Sequence, residues 1–343
     1  MHYRKLGRTG LQVSPLCLGA MMFGEWGNPD HDDSVSIIHA ALDAGINFID
    51  TADVYSAGES EEIVAKAIAG RRDEVVLATK FYAPMGEGPN RGSGSRYWIM
   101  KECENSLRRL GTDHIDLYQV HRPDPTVDVD ETLGALSDLV HQGKVRYLGS
   151  STFPASEIVE AQWVAERRGR ERFVCEQPPY SILVRGIEAD VLPTCQRHGM
   201  GVIPWSPLAG GWLSGKWRKG ADDLTSHRAN RVPGRYDLSL PSNQAKLEAA
   251  DALGALADEA GLTLVDMAIA FVIGNPAVTS AIIGPRTMEQ LTTQLGSADL
   301  QLSADVLDRI DEIVPPGTNL NWADAGYTPP MVGDARARRR PAR

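Results

Sequence analysis

The chain has 343 residues, 42% of them hydrophobic and 23% charged, with a formal net charge of −10 at pH 7. That composition suits a folded globular protein with a sizeable core, and the acidic balance argues against nucleic acid or an anionic membrane as a partner of its body. No apolar run approaches the ~20 residues that span a bilayer, and Cys17, Cys103, Cys175 and Cys195 lack metal spacing, so they read as reduced thiols of a cytoplasmic protein.

From the N-terminus, HYRKLGRTGLQV (2–13) reads as a β-hairpin around Gly7 to Gly10. LCLG (16–19) reads as a buried first strand. LCLGAMMF weakly imitates a signal peptide, but Gln12, Ser14 and Pro15 interrupt it upstream and no clear cleavage site follows. SVSIIHAALDAG (34–45) carries apolar residues at helical spacing and ends on Gly. NFID (47–50) is a second strand, SEEIVAKAIAG (60–70) a helix, and VVLAT (75–79) a third strand. The pattern repeats through MKECENSLRRLG (100–111), IDLYQV (115–120), TLGALSDLVHQG (132–143), VRYLG (145–149), RFVCE (172–176) and MGVIPW (200–205). Helical pattern around 243–260 and 263–273 precedes a last strand, VTSAII (278–283).

Eight strands alternating with helices imply parallel pairing through crossovers. They close best as a (β/α)8 TIM barrel of the α/β class, with the hairpin as a cap at one end; an open doubly wound sheet is the alternative. No linker interrupts the rhythm, so residues 1–320 read as one domain and 321–343 as an extension. Its basic tail RARRRPAR (336–343) is expected to be disordered at its end. Two segments after strands are long and aperiodic: roughly 82–95, and 206–242, which is rich in Gly, Ser, Pro and Arg. On a barrel both lie on the C-terminal face, where the chemistry of such folds is found.

Three consecutive strand ends on that face carry titratable groups. Asp50 ends the second strand and Tyr55 lies just beyond it; Lys80 follows the third strand and His121 the fourth. Together they suit proton donation to a carbonyl oxygen. A free phenol, with a pKa of ~10, is a sluggish acid at neutral pH. A neighbouring ammonium stabilises phenolate, a carboxylate holds the ammonium in place, and an imidazole opposite polarises the carbonyl. No obvious nucleophile and no metal-ligand spacing accompanies them, so the reductant must come from a cofactor.

This constellation, with the hairpin and GINFIDTADVY (45–55), resembles the aldo-keto reductase superfamily to about residue 320. The resemblance implies a catalytic tetrad of Asp50, Tyr55, Lys80 and His121 with Tyr55 as general acid. It also implies NADPH or NADH bound without a Rossmann domain, in keeping with the lack of a GxGxxG motif opening a βαβ unit. For the nicotinamide it implies contacts from Asp50, Ser151, Gln177 and Thr152, the last standing where Asn is usual, with Trp205 as the stacking aromatic. Gly19 and Met21 would line the cofactor near the first strand. Ser206, Leu208 and Gly210 would hold the pyrophosphate, with Lys216 closing over it. Gly284, Arg286, Gln290 and Gln294 would form the adenosine site, and Arg286 favours NADP(H) over NAD(H). Phe23, Trp26, Tyr82 and Trp98 are the candidates for shaping the substrate pocket.

The expected activity is NADPH-dependent reduction of a small-molecule aldehyde or ketone. Two rivals are a nucleotide-sensing regulatory subunit similar to potassium-channel β subunits and a Schiff-base aldolase acting through Lys80. GGWLSGKW (210–217) imitates a P-loop, but Trp217 stands where Ser or Thr would bind magnesium. Natural substrate, physiological direction and oligomeric state have no signature in the sequence.

Overall fold

The computed structural model describes residues 1–221, 229 and 231–340. Strands β1 (Arg4–Lys5) and β2 (Gln12–Val13) form the antiparallel hairpin. The alternation then runs β3 (Leu16–Gly19), α1 (His31–Asp43), β4 (Phe48–Asp50), α2 (Glu59–Ile68), β5 (Val76–Phe81), α3 (Arg96–Leu110), β6 (Ile115–Val120) and α4 (Val129–His141). It continues with β7 (Val145–Ser151), α5 (Ala155–Arg168), β8 (Phe173–Gln177), α6 (Val191–His198), β9 (Gly201–Val202), α7 (Pro241–Glu259), α8 (Leu264–Gly274), β10 (Ala281–Ile283), α9 (Met288–Leu295) and α10 (Ala304–Ile313). Helices α5, α6, α9 and α10 add to the helical stretches read from the sequence.

The eight parallel strands run in the order β10-β3-β4-β5-β6-β7-β8-β9. The ring closes where the Thr279 N–H donates to Val202 O at 2.8 Å, the Ile282 N–H donates to Pro204 O at 2.9 Å, and Trp205 bridges Ile282. The sheet is therefore the expected (β/α)8 barrel. MGVIPW contributes only Gly201–Val202 as regular strand, because Pro204 has no N–H to give to a ladder. β5 runs on to Phe81, so Lys80 lies inside the strand rather than after it.

The hairpin covers the end where the strands begin. The Arg8 N–H donates to Gly199 O at 2.9 Å, and a β-carbon on Gly7 would come within 2.6 Å of Gly199 O and of the Gly201 nitrogen. Its Leu6 and Val13 fill the barrel floor with Cys17, Phe48, Val76, Ala78, Leu117, Cys175, Ile203 and Ile282. The larger apolar cluster lies between the sheet and the surrounding helices.

Strand pleating alternates side chains between these two layers. Moving up two residues from the apolar floor takes Phe48 to Asp50, Ala78 to Lys80, Leu117 to Gln119 and then His121, and Cys175 to Gln177. The barrel interior thus changes from apolar to ionic toward the C-terminal face. Gly149 on β7 makes room for this polar layer, since a β-carbon there would sit 2.8 Å from Gln119 Cγ. Among the described residues no helix is long and apolar enough to cross a membrane.

Candidate active site

The Lys80 ammonium is the hub of the polar layer. It donates to Asp50 Oδ1 at 2.5 Å, to Thr51 O at 2.9 Å and to the Tyr55 hydroxyl at 3.1 Å. Lys80 is fully buried and Asp50 nearly so. Burial draws the lysine pKa down, but Asp50 and Tyr55 push it up by more, so Lys80 is a cation at neutral pH. The other Asp50 oxygen accepts from Gln119 Nε2 at 3.0 Å and Gln177 Nε2 at 2.8 Å. Such saturation of a buried carboxylate is what keeps a desolvated ion pair in place.

His121 faces Tyr55 edge-on, with ring centroids 5.7 Å apart. Burial first, then the charges of Lys80 and Arg122, hold its pKa well below the usual histidine value, so the imidazole is neutral at pH 7. The four residues expected to act together therefore converge, with the phenol and imidazole uppermost.

The turn carrying Tyr55 is strained. Ser56, Ala57 and Gly58 all have positive φ, at 48°, 56° and 100°. It is pinned by the Asp53 N–H donating to Lys80 O at 3.2 Å and by Ser56 Oγ accepting the Trp26 N–H at 3.1 Å. Beneath Gly58 lies Arg109, whose Cδ would be 2.7 Å from a β-carbon there. That guanidinium is gripped by Glu61 at 2.5 Å and Glu102 at 2.6 Å.

The residues expected around a nicotinamide also meet. Ser151 and Gln177 are register partners on β7 and β8. Ser151 Oγ and the Thr152 N–H both donate to Gln177 O, at 2.8 and 3.1 Å, and Thr152 takes φ 61°. Trp205 stands on the next strand end, with its buried indole N–H unpartnered among the described residues. Beyond it Ser206, Ala209, Gly210 and Gly211 have positive φ, from 49° to 103°. Among the described residues the N–H groups of Ser206 and Leu208 make no hydrogen bond, and such a winding backbone forms a nest for an anion. Lys216 is exposed nearby in the chain, and Trp217 stacks on Trp212 at 3.9 Å instead of opening a helix, as a P-loop would require. Part of this long segment, residues 222–228 and 230, lies outside the described residues.

At the end of β10, a β-carbon on the exposed Gly284 would meet nothing within 4 Å. Gln290 Oε1 accepts the Arg286 N–H at 2.9 Å, and Gln294 Oε1 is buried without a partner among the described residues. Gly19 has a packing reason of its own, since a β-carbon would be 2.6 Å from Ile282 Cγ2 where β3 meets β10; Met21 is partly exposed just beyond.

The four pocket candidates divide. Trp26 packs 6.0 Å from Tyr55, and Tyr82 lies partly buried near Arg122 and Asp124. Phe23 and Trp98, by contrast, are 0% and 1% exposed inside the core. Trp98 is turned inward because Ser95 caps α3 and starts the helix before it. Neither has surface to offer a substrate.

The structure adds residues that sequence reasoning overlooked. Gln119 shares the inward face of β6 with His121, a parity the sequence displays. Glu176, fully buried, accepts from Ser150 Oγ at 2.5 Å and from the Phe153 N–H at 3.1 Å, bracing the Ser151–Thr152 turn. Burial pushes its carboxyl up to about 7, against these hydrogen bonds. The C-terminal extension also reaches the site: a β-carbon on Gly326 would lie 2.6 Å from Trp205 Cζ2. It is anchored by Asp324, 2.7 Å from Lys246 and 3.4 Å from Arg235. The last tail residues, 341–343, lie outside the described residues.

Residues 15–315 match the model of the aldo/keto reductase family. An uncharacterized oxidoreductase, YrpG, of Bacillus subtilis is 43% identical over 92% of this chain and 97% of its own length. A probable voltage-gated potassium channel subunit beta of Arabidopsis thaliana is 36% identical, over 92% and 97%. Versiconal hemiacetal acetate reductase of Aspergillus parasiticus is 32% identical, over 92% and 98%.

Proposed function

This chain belongs to the aldo/keto reductase family, and from that premise we propose that it reduces an aldehyde or ketone to the alcohol with NADPH, Tyr55 acting as general acid. The observation carrying this reading is the buried Lys80 ammonium, shared between Asp50 at 2.5 Å and the Tyr55 hydroxyl at 3.1 Å beneath a neutral His121. A nicotinamide cofactor supplies the hydride when bound. The chain's residues do the rest. Tyr55 gives its proton to the carbonyl oxygen as that oxygen gains charge, and Lys80 stabilises the phenolate left behind. Asp50 holds Lys80 in line. His121, being neutral, offers an N–H to the carbonyl without adding a second cation next to Lys80.

The residues present fit the cofactor. Ser151, Thr152 and Gln177 would hold the carboxamide, and Trp205 would stack on the ring. The nest at Ser206–Gly210 would take the pyrophosphate, and Arg286, Gln290 and the unpartnered Gln294 Oε1 the adenosine half. Arg286 supports NADP(H) over NAD(H), because a guanidinium fork matches a 2′-phosphate.

A second reading, a nucleotide-binding subunit with little turnover, is favoured by the likeness to a probable potassium channel β subunit. Titration with NADPH and NADH, followed by NADPH oxidation with a panel of aromatic and sugar aldehydes, separates the two. Tight NADPH binding with turnover establishes the reductase. Binding with turnover far below ~1 s⁻¹ on every carbonyl supports the subunit reading, and no nucleotide binding sinks both.

A further inference from the structure

Three guanidinium groups surround the space above Tyr55. Arg122 follows His121 and donates from Nη1 to the His121 carbonyl at 2.5 Å. Its guanidinium lies 5.9 Å from the Trp205 ring centroid, and Arg235 lies 5.9 Å from the same ring. Arg231 sits 3.7 Å from the centroid of Trp26, the residue packed on Tyr55. In a chain of net charge −10 this is a local reversal of sign at the mouth of the site.

These charges are poorly balanced. Arg235 has Asp324, which is shared with Lys246. Among the described residues no carboxylate lies within 4.0 Å of Arg122 or Arg231. The carboxylate that acts on Arg122, Glu176, is engaged elsewhere, held by Ser150 and Phe153. Burial draws the Arg122 pKa down, with Arg235 acting in the same direction and Tyr55, Glu176 and Tyr82 against it. A largely covered guanidinium without a counter-ion is costly unless something anionic arrives.

We propose that the carbonyl substrate carries a carboxylate or phosphate group and that Arg122 receives it. The inference rests on the reductase reading for the identity of the reacting group, and on the arginines alone for the charge. Planar guanidinium forks bind both oxyanions in bidentate fashion. A cationic mouth with aromatic walls also concentrates anions from solution. The strand order argues against a role for Arg122 at the adenosine half of the cofactor: β6 stands four places from β10 in the ring, across the barrel from Arg286 and Gln294. It is next to His121, where a carbonyl awaiting the Tyr55 proton would lie.

The test compares 4-formylbenzoate with its methyl ester, and glyceraldehyde 3-phosphate with glyceraldehyde, in the wild type, Arg122→Met and Arg122→Lys. With NADPH, the wild type should prefer the anionic member of at least one pair by about tenfold or more in kcat/KM. That ratio should fall toward one in Arg122→Met. Arg122→Lys should keep part of it, with a steeper loss in salt. The pair that responds shows whether carboxylate or phosphate is the group.

A ratio near one for both pairs in the wild type, or an undiminished ratio in Arg122→Met, overturns the proposal. So does a loss of NADPH affinity in Arg122→Met with the ratio unchanged, which would assign Arg122 to the cofactor. Calorimetric titration without NADPH decides the matter if no aldehyde of either kind is turned over, an outcome that would sink the reductase reading alone. Tighter binding of an anionic member, lost in Arg122→Met, then supports the anion site, and equal binding within both pairs refutes it.

Discussion

Two buried charge clusters lie back to back across β5, and adjacent residues of that strand serve them. Lys80 points into the barrel and meets Asp50, Tyr55, Gln119 and Gln177 within one network. Thr79 points outward and donates to Glu61 at 2.6 Å, joining Glu102, Asp53 and Arg109 between the sheet and α2 and α3. Both clusters are desolvated, and both hold a cation. They differ in balance and in access. The inner one pairs one carboxylate with one ammonium and ends in a phenol that is 9% exposed and faces His121. The outer one gathers three carboxyls around one guanidinium; burial, then Glu61 and Glu102, push Asp53 well above the usual carboxylate range. Perturbed, buried charge alone does not mark a reaction site. What distinguishes the inner cluster is a phenol that the proposed reaction uses as its acid, while the outer one packs under the strained turn that carries it.

Removing the central cation of each cluster probes this difference. Lys80→Met should abolish measurable carbonyl reduction, a loss of about 10³-fold or more, because neither the phenolate nor Asp50 then has a counter-charge; steady-state assays beside cofactor titration read it. Arg109→Met should act mainly on stability. Leaving Glu61 and Glu102 buried without their cation should cost about 3–5 kcal/mol in urea denaturation. Activity should fall less than in Lys80→Met. If Arg109→Met proved as inactive as Lys80→Met at full stability, the division into reacting and bracing clusters would be wrong.

Glu176 gives a prediction with a definite sign. Its carboxyl is pushed from the ordinary 4.5 to about 7, so the folded state holds a proton that the unfolded chain releases. The resulting stabilisation is complete below about pH 4.5 and is lost as pH rises through about 7, roughly 3 kcal/mol in all. Chemical denaturation at pH 5, 6, 7 and 8 should show this decline, and Glu176→Gln should flatten it. The smallest expected effect belongs to Gly58→Ala. A β-carbon at φ 100°, pressed on Arg109, should cost about 1–3 kcal/mol and raise KM through a displaced Tyr55 turn. Unaltered stability would mean that the outer cluster does not brace the turn.

The barrel was legible because its strands, covered on both faces, read as short apolar runs separated by helical patterns. The inner cluster was legible because Asp50, Lys80 and His121 each stand at or near the end of such a run, and pleating sends them to one place. Gln119 could have been found by the same parity. The outer cluster was not legible: Glu61 and Arg109 are 48 residues apart on different helices, and only helix packing joins them. Trp98 shows the opposite failure. As an aromatic in the segment after a strand it suggested a pocket wall, but a single Ser cap starts the helix early and rotates the ring into the core. The arginines near Tyr55 come from two loops, Arg122 after β6 and Arg231 and Arg235 between β9 and α7, and no spacing announces their meeting.

The most direct test of the inner cluster's role is a single-turnover measurement of NADPH oxidation by wild type and Tyr55→Phe, with an aldehyde the wild type accepts. Removing only the hydroxyl should leave NADPH affinity within about twofold and slow the chemical step by at least ~10²-fold. Hydride transfer at the wild-type rate in Tyr55→Phe would contradict the assignment of Tyr55 as the acid and, with it, the reading of the Asp50–Lys80–Tyr55 network as the reacting centre.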